Sequence, residues 1–214
     1  MRVIAVPVKS LDRAKRRLSS ILSPLERASL TLAMLEDVLD AATAASSWET
    51  WVVSPDEAVL EVAARRGVRP MAEEKPPLSS AVRQVEQEAI GASADALAVL
   101  LADLPTVTAG ALTEALRTIG PVVLSPSRDD DGTNLLLRRP PRAVPARFGR
   151  GSYRKHLDGA AARGLPVAEV ERPELSFDLD TPRDVERLLA VDRPGRAREV
   201  CLDLGLPARL SIGA

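Results

Sequence analysis

Short apolar segments alternate with capped helical segments through the first 125 residues, and this alternation constrains the fold more than any other feature. The apolar segments have the length of buried strands, and several helical segments begin with a Ser-Pro or Thr signal. Regular alternation is typical of a mostly parallel sheet with helices on both faces. We therefore predict an α/β three-layer sandwich, with strands near 3–6, 51–53, 68–71, 97–101, 122–124, 135–137 and 167–170 and helices near 23–45, 54–67, 78–90, 108–118, 152–163 and 182–191.

The chain divides unevenly into a patterned part and an unpatterned end. Residues 1–191 form one predicted domain, and residues 192–214 form a predicted C-terminal tail. The tail contains a Pro194-Gly195 pair and has no strong periodicity, so we expect it to be weakly ordered or packed against a partner. Its apolar stretch at 200–206 suits such packing and a homodimer.

The composition excludes several classes of function. The chain is 45% hydrophobic and 28% charged, so it can build a core. Its apolar runs are far shorter than the ~20 residues that span a bilayer, and no secretion signal is recognisable. A lone cysteine, Cys201, fits a reducing cytoplasm. A net charge of −1 and few aromatic residues disfavour nucleic acid. We expect a cytoplasmic protein whose partner is a small molecule, without nucleic acid or membrane.

Three aspartates follow apolar runs that we interpret as strands. Asp103 lies in the run at 99–105, and Asp178 and Asp180 lie in the run at 176–182. Because Leu179 separates the last two, their side chains would point to the same face of an extended segment. Carboxylates at strand ends lie where an α/β sheet binds its ligands, and they are the ligands that Mg²⁺ prefers. An alternative is that Asp180 merely helps a helix to start.

The loop after the first strand carries several cations. Lys9, Lys15 and Arg17 lie in it, and such a cluster suits a triphosphate, although a solvated helix face would have the same composition. The loop contains neither a Gly-x-Gly-x-x-Gly fingerprint nor a phosphate-binding Gly-x4-Gly-Lys-Ser/Thr motif. A dehydrogenase and a P-loop NTPase are therefore disfavoured.

Two later segments offer further polar groups. Thr133 and Asn134, which close an Asp-rich loop, supply a hydroxyl and an amide, although ordinary turn chemistry would explain them equally. Gly149 and Ser152 precede a helix whose first turn could bind an anion, although capping by Ser152 would give the same pattern. We expect His156, the one histidine of the chain, to lie on a helix surface.

These features together favour phosphoryl or nucleotidyl transfer. A phosphate oxygen that is already an anion needs no strong base, so positioning and charge neutralisation can carry the reaction. The chain resembles the guanylyltransferases of deazaflavin-coenzyme biosynthesis, which use 2-phospho-L-lactate or phosphoenolpyruvate. The resemblance covers roughly residues 3–190, and it depends on Val8-Lys9, Ala14-Lys15-x-Arg17-Leu18, Asp103-Leu104-Pro105, Gly132-Thr133, Phe148-Gly149-x-x-Ser152 and Asp178-x-Asp180-Thr181-Pro182.

The resemblance implies a Rossmann-like nucleotidyltransferase fold of the nucleotide-diphospho-sugar transferase type. It also implies transfer of GMP from GTP to a small phosphorylated three-carbon acid, with Mg²⁺ as cofactor. By resemblance, the metal ligands are Asp103, Asp178 and Asp180, and the catalytic residues are Asp103 and Lys9. The resemblance also implies that the acceptor is bound by Lys9, Thr133, Gly149 and Ser152. It implies that Lys15 and Arg17 bind the triphosphate and that Ser79 and Ser80 bind the nucleoside.

The chain departs from the family pattern in two places, and other functions remain as alternatives. Ala102 stands where the family usually has Gly, and Ser79-Ser80 stand where it usually has Leu-Asn, which bears on guanine preference. Other metal-dependent nucleotidyltransferases, of the molybdopterin or sugar-phosphate type, share the chemistry. An Asp-x-Asp glycosyltransferase and a binding module without activity are the more distant alternatives.

Overall fold

The computed structural model describes residues 1–74, 78–128 and 131–211, so part of the Asp-rich loop before Thr133 and residues 212–214 of the tail lie outside the described residues. The strands are β1 (Arg2–Pro7), β2 (Glu49–Ser54), β3 (Arg69–Ala72), β4 (Ala96–Leu100), β5 (Val122–Pro126), β6 (Thr133–Arg138) and β7 (Val167–Glu169). The helices are α1 (Pro24–Thr43), α2 (Glu57–Arg65), α3 (Leu78–Gly91), α4 (Ala109–Arg117), α5 (Ser152–Ala161), α6 (Pro173–Ser176), α7 (Pro182–Ala190), α8 (Arg196–Asp203) and α9 (Leu206–Ser211).

The strands form one sheet in the order β3-β2-β1-β4-β6-β5-β7. Neighbouring strands are parallel except at β6, which is antiparallel to both β4 and β5. The predicted mostly parallel sheet is therefore confirmed. The reversal at β6 has a consequence for function, because Leu100 at the end of β4 pairs with Leu135 near the start of β6. The first residues of β6 thus reach the edge of the sheet where the parallel strands end.

Helices cover both faces of the sheet. On one face, Ile4 and Val6 of β1 pack in a cluster with residues of α1, α2 and α4. On the other face, Val3 and Ala5 pack with residues of α3, and a neighbouring cluster includes α5. The central strands are buried on both faces, which explains their continuous apolar composition. This arrangement is the predicted three-layer sandwich.

The Ser-Pro signals at Ser23-Pro24 and Ser54-Pro55 both predict a capping box, and the second prediction needs a correction. α1 begins as expected, because Ser23 Oγ accepts from Glu26 N–H and Glu26 accepts from the backbone N–H of Ser23. At α2, however, the N-cap is Asp56, whose side chain accepts from Ala58 N–H. Ser54 instead ends β2 and is buried there.

The expectation of a weakly ordered or partner-packed tail is wrong for the described part of the tail. Residues 196–203 and 206–211 are helical, and Ala197, Cys201 and Leu206 are buried against Leu30 and Met34 of α1 within the same chain. The apolar stretch at 200–206 therefore packs largely inside the molecule. The homodimer and the domain boundary at 191 stay predictions.

The tail is also fixed by a carboxylate from α1. Asp37 accepts the backbone N–H groups of Arg196 and Ala197, at 2.9 and 3.0 Å. Gly195, the N-cap of α8, has no side chain with which to satisfy them, so Asp37 replaces the usual cap. No helix within the described ranges has both the length and the apolar composition needed to cross a bilayer.

We expect Asp37→Ala to lower the free energy of unfolding by about 1–3 kcal/mol, because it leaves two partly buried N–H groups without acceptors. Urea denaturation measures the change. Asp158→Ala removes an exposed carboxylate elsewhere and should change stability by less than about 0.5 kcal/mol. Equal losses in the two variants would contradict a capping role for Asp37.

Candidate functional site

A cavity of about 860 Å³ opens at the edge of the sheet where the parallel strands end. Such an edge is where open α/β sheets bind ligands. Loops after β1 and β4, the start of β6, the turn before α5 and the segment before α7 line the cavity. These elements bring together the predicted residues Lys9, Lys15, Arg17, Asp103, Thr133, Gly149, Ser152, Asp178 and Asp180.

The ammonium of Lys15 joins two of the three predicted acids. Its Nζ lies 2.7 Å from Oδ2 of Asp103 and 2.8 Å from Oδ1 of Asp180. The Lys15 side chain is 7% exposed, and its backbone has φ 49° between two 3₁₀ turns. Burial lowers the pKa of Lys15, but the two carboxylates outweigh burial and the net pKa is raised. Lys15 is therefore a charged, buried bridge. Its predicted contact with a triphosphate stays a prediction.

Asp103 and Asp178 belong to segments that are tied to each other by the backbone. The N–H of Leu179 donates to the carbonyl oxygen of Asp103 at 3.1 Å, and the Leu179 side chain is fully buried. Alternation along the segment leaves the flanking carboxylates on the cavity side, as predicted. The predicted strand there is wrong, because residues 177–180 follow α6 and pair with no strand in the described part of the chain.

The Asp178 carboxylate is held by two neutral side chains. Oδ1 of Asp178 accepts from Ser127 Oγ at 2.6 Å and from Asn134 Nδ2 at 3.4 Å. Burial raises the pKa of Asp178, the Ser127 hydrogen bond lowers it, and the nearby charges of Asp103 and Asp180 raise it, so the net pKa is raised. The site therefore concentrates negative charge, which favours a bound cation.

Asp180 lies on the more open side of the cavity. Its second oxygen is 3.8 Å from Nη1 of Arg17, which is mostly exposed. Burial raises the pKa of Asp180, but Lys15 and Arg17 lower it more, and the net pKa is lowered. The alternative that Asp180 serves to start a helix is not supported, because Asp184 accepts the N–H groups of Asp180 and Thr181 at the start of α7.

The donor chemistry of the acids fits a divalent cation, although the described residues contain no preformed group of three metal ligands. Oδ1 of Asp103 is buried and has no hydrogen-bond partner among the described residues. Lys15 and Arg17 each pair with these acids, so three carboxylates and two cations leave one formal negative charge among them. Hard oxygen donors of this kind are the ligands of Mg²⁺.

A second group of side chains that line the cavity, which we call its hydroxyl end, consists of Thr133 and Ser152. Oγ of Ser152 donates to Oγ1 of Thr133 at 3.3 Å, and both side chains are nearly fully buried. The N-cap of α5 is Gly151, with φ 67°, so the alternative in which Ser152 caps the helix is not supported. Gly149 also has positive φ, at 108°, and its turn leaves space where a side chain would stand.

His156 corrects another expectation. We expected a surface histidine, but the ring is completely buried and packs edge-on against Phe148 at 5.3 Å. Its Nδ1 is 3.0 Å from Oγ1 of Thr133, and its Nε2 accepts from the N–H of Arg147 at 2.9 Å. The largest effect on its pKa is burial, which lowers it to about 4, with further lowering by nearby cations.

Some predicted residues lie apart from the cavity, and some important ones were not predicted. Ser79 and Ser80 lie in the first turn of α3 and do not line the cavity, and Ser80 accepts from Arg83 at 3.1 Å. Sequence reasoning missed Ser127 and the role of His156. Ser127 directly follows β5 in a Ser-Pro-Ser segment that gives no functional signal, and its contact with Asp178 spans 51 positions.

Comparison with known proteins identifies the family. A family model described as "Guanylyl transferase CofC like" matches residues 1–211. The phosphoenolpyruvate guanylyltransferase of Sphaerobacter thermophilus is 43% identical over 190 residues, covering 87% of this chain and 91% of that protein. The 3-phospho-D-glycerate guanylyltransferase of Phenylobacterium zucineum is 37% identical, covering 89% and 91%. The 2-phospho-L-lactate guanylyltransferase of Methanothermobacter thermautotrophicus is 32% identical, covering 98% and 93%.

Solved structures agree on the fold. A proposed nucleotide-diphospho-sugar transferase from Desulfovibrio desulfuricans superimposes with a TM-score of 0.79 at 18% identity, covering 98% of this chain and 99% of that one. A nucleotidyl transferase from Methanothermobacter thermautotrophicus gives 0.66 at 20% identity, covering 88% and 95%. The resemblance predicted from the sequence is thus confirmed, and the chain belongs to the guanylyl transferase CofC-like family.

Proposed function

We propose that this chain transfers GMP from GTP to the phosphate of a small phospho-acid and releases pyrophosphate, in deazaflavin coenzyme biosynthesis. The acceptor would be phosphoenolpyruvate, 2-phospho-L-lactate or 3-phosphoglycerate, the three acids in the names of its relatives. The observation that carries the proposal is the polarity of one cavity, which has acids bridged by Lys15 at one end and buried hydroxyls at the other. A buried free cysteine suits a reducing compartment, which supports a cytoplasmic location.

In the proposed reaction, a phosphate oxygen of the acceptor forms a bond to the α-phosphorus of GTP. The bond from that phosphorus to the bridging oxygen of the β-phosphate breaks, and pyrophosphate leaves with the electron pair. The attacking oxygen is already an anion, so a strong base is unnecessary. The chain's own contribution would be to orient both substrates and to neutralise their charge with Lys9, Lys15 and Arg17, all of which line the cavity.

The two ends of the cavity suit the two substrates. We propose that Lys9, Thr133, Gly149 and Ser152 bind the phospho-acid, because they combine one exposed ammonium with hydroxyl groups and an open glycine turn. Lys15 and Arg17 would face the triphosphate. Ser79 and Ser80 lie in the first turn of the helix that follows β3, and they remain our proposed nucleoside contacts although they do not line the cavity.

We propose Mg²⁺ as the cofactor, held by Asp103, Asp178 and Asp180. The unpartnered Oδ1 of Asp103 and the raised pKa of Asp178 support this choice. When bound, Mg²⁺ would supply positive charge against the phosphate oxygens and stabilise the developing charge. Ser127 and Asn134 would keep the Asp178 carboxylate oriented through their hydrogen bonds to Oδ1.

The proposal predicts pyrophosphate release from GTP and Mg²⁺ only when a suitable acceptor is present. Each of the three phospho-acids is incubated separately with GTP, Mg²⁺ and the enzyme, and pyrophosphate is measured by a coupled assay. Asp103→Asn should lower kcat at least about 100-fold, because it removes charge from the metal end of the cavity.

The matched control is Asp95→Asn, which changes an exposed aspartate at the opposite edge of the sheet. It should retain turnover within about twofold, since surface changes away from a site have small effects. Near-normal activity of Asp103→Asn, or turnover with none of the three acids, would contradict the proposal.

Replacing Lys15 with Met should destabilise the protein, and Mg²⁺ should recover part of the loss. Removal of the ammonium leaves Asp103 and Asp180 to repel each other. We expect a loss of about 1–3 kcal/mol, below the 3–5 for a fully buried pair, because solvent screens Asp180, which is 39% exposed. Thermal unfolding with and without Mg²⁺ tests this. Equal stabilisation of the Lys15→Met variant and the unsubstituted protein by Mg²⁺ would contradict binding of Mg²⁺ to the acids that pair with Lys15.

A further inference from the structure

The hydrogen bonds around His156 determine which ring nitrogen carries a proton. The backbone N–H of Arg147 points at Nε2, and a backbone N–H can only donate. Nε2 must therefore be the unprotonated nitrogen. A neutral imidazole then has its proton on Nδ1, and Nδ1–H donates to Oγ1 of Thr133.

Burial and neighbouring cations keep the His156 ring neutral at physiological pH. His156 is buried, and the charged groups of the described residues that shift its pKa are the cations Arg138 from β6, Arg147 from the preceding loop and Lys155 from α5. Burial and these cations lower its pKa to about 4. A proton on Nε2 would also meet the N–H of Arg147 head-on.

The fixed imidazole proton constrains the two hydroxyl groups beyond it. Thr133 and Ser152 together carry two hydroxyl protons, and the hydrogen bond between their oxygens uses one of them. Neither hydroxyl can donate to the ring, because Nδ1 already carries a proton. The second hydroxyl proton is therefore left for the cavity, which both side chains line. This holds whichever of the two hydroxyls donates to the other.

We propose that His156 is a positioning residue whose Nδ1–H orients the Thr133 hydroxyl and keeps the Thr133–Ser152 pair a hydrogen-bond donor toward an anionic oxygen of the bound phospho-acid. The inference rests on the proposed function and deepens it. A pair that presents a proton favours phosphate or carboxylate oxygens and disfavours groups that must themselves donate. His156 thus acts on acceptor selection through Thr133 and has no contact with the reacting atoms.

The first test observes the tautomer and needs no activity. His156 is the one histidine of the sequence, so the imidazole ¹⁵N signals of an untagged, labelled protein belong to it alone. At pH 7 we expect a neutral ring with a protonated Nδ1, the less common tautomer in water. An Nε2-protonated ring or an imidazolium at pH 7 would overturn the proposal.

The second test separates positioning from simple packing. His156→Asn keeps an N–H donor near the Nδ1 position, whereas His156→Leu keeps the volume and removes the donor. We expect His156→Leu to raise KM for the phospho-acid at least about fivefold, as for loss of one neutral hydrogen bond that orients the Thr133 hydroxyl, and to change KM for GTP less than about twofold. His156→Asn should stay within about threefold of the unsubstituted enzyme.

A double-mutant cycle with Thr133→Val shows whether the effect passes through the Thr133 hydroxyl. In that background, His156→Leu should cause little further change in KM for the phospho-acid. Full additivity would overturn the proposal. Equal effects of the Asn and Leu variants would also overturn it, provided that urea denaturation curves show both variants to be folded. Asp158→Asn, at an exposed position of α5, is the control for changes in this helix.

The pH dependence of stability gives a third measurement. At pH values between 6.5 and about 4, the unfolded chain binds a proton at His156 while the folded ring stays neutral. Stability should therefore fall as the pH drops through this window, and His156→Leu should lose that part of the slope. An unchanged slope would contradict the buried neutral ring. Failure of all three phospho-acids with the unsubstituted enzyme would instead count against the proposed function.

Discussion

The ion pairs of Lys15 with Asp103 and Asp180 are the interaction on which the site depends. They join segments that are 88 and 165 positions apart in sequence, one after β1, one after β4 and one before α7. A buried ammonium without partners would cost several kcal/mol, so the pairing is what permits Lys15 to be buried. The Leu179 N–H to the Asp103 carbonyl adds a second, uncharged tie between two of the same segments. The charged side chains of the cavity therefore also hold these three segments of the fold together.

The reversed strand β6 supplies the other half of the site. Because β6 runs against its neighbours, its first residues, Thr133 and Asn134, start where β4 ends. Thr133 contacts Ser152 and His156 at the hydroxyl end, and Asn134 donates to Asp178 at the acidic end. A parallel strand at this position would place its first residues at the far edge of the sheet. The two ends of the cavity are therefore coupled through adjacent residues of a single strand.

The sequence contained most of the fold because burial on both faces of the sheet produces short apolar runs, and capping motifs separate them. Together with the family resemblance, it also identified several of the residues that line the cavity, whereas the predicted Ser79 and Ser80 do not line it. It failed where long-range packing decides. Leu35 and Val38 of α1 pack against the sheet, whereas Leu30 and Met34 of the same helix pack against the C-terminal helices. The apolar periodicity of α1 predicts that one face is buried, and it does not show that a second set of helices covers another face. The polar composition of α5 likewise concealed His156, whose burial depends on Phe148 and the preceding loop.

The burial of His156 explains how a chain with one histidine can use it without proton transfer. A general base must exchange protons near neutral pH and must reach the substrate, whereas this ring is neutral well below pH 7 and is covered by protein. What it can provide is a fixed direction for hydrogen bonds, which costs no proton exchange during the reaction. The acidic end of the cavity also works by fixed charge, with Lys15 held between two carboxylates. Both ends are therefore organised before any ligand binds, as expected for catalysis that relies on positioning and on an acceptor that arrives as an anion.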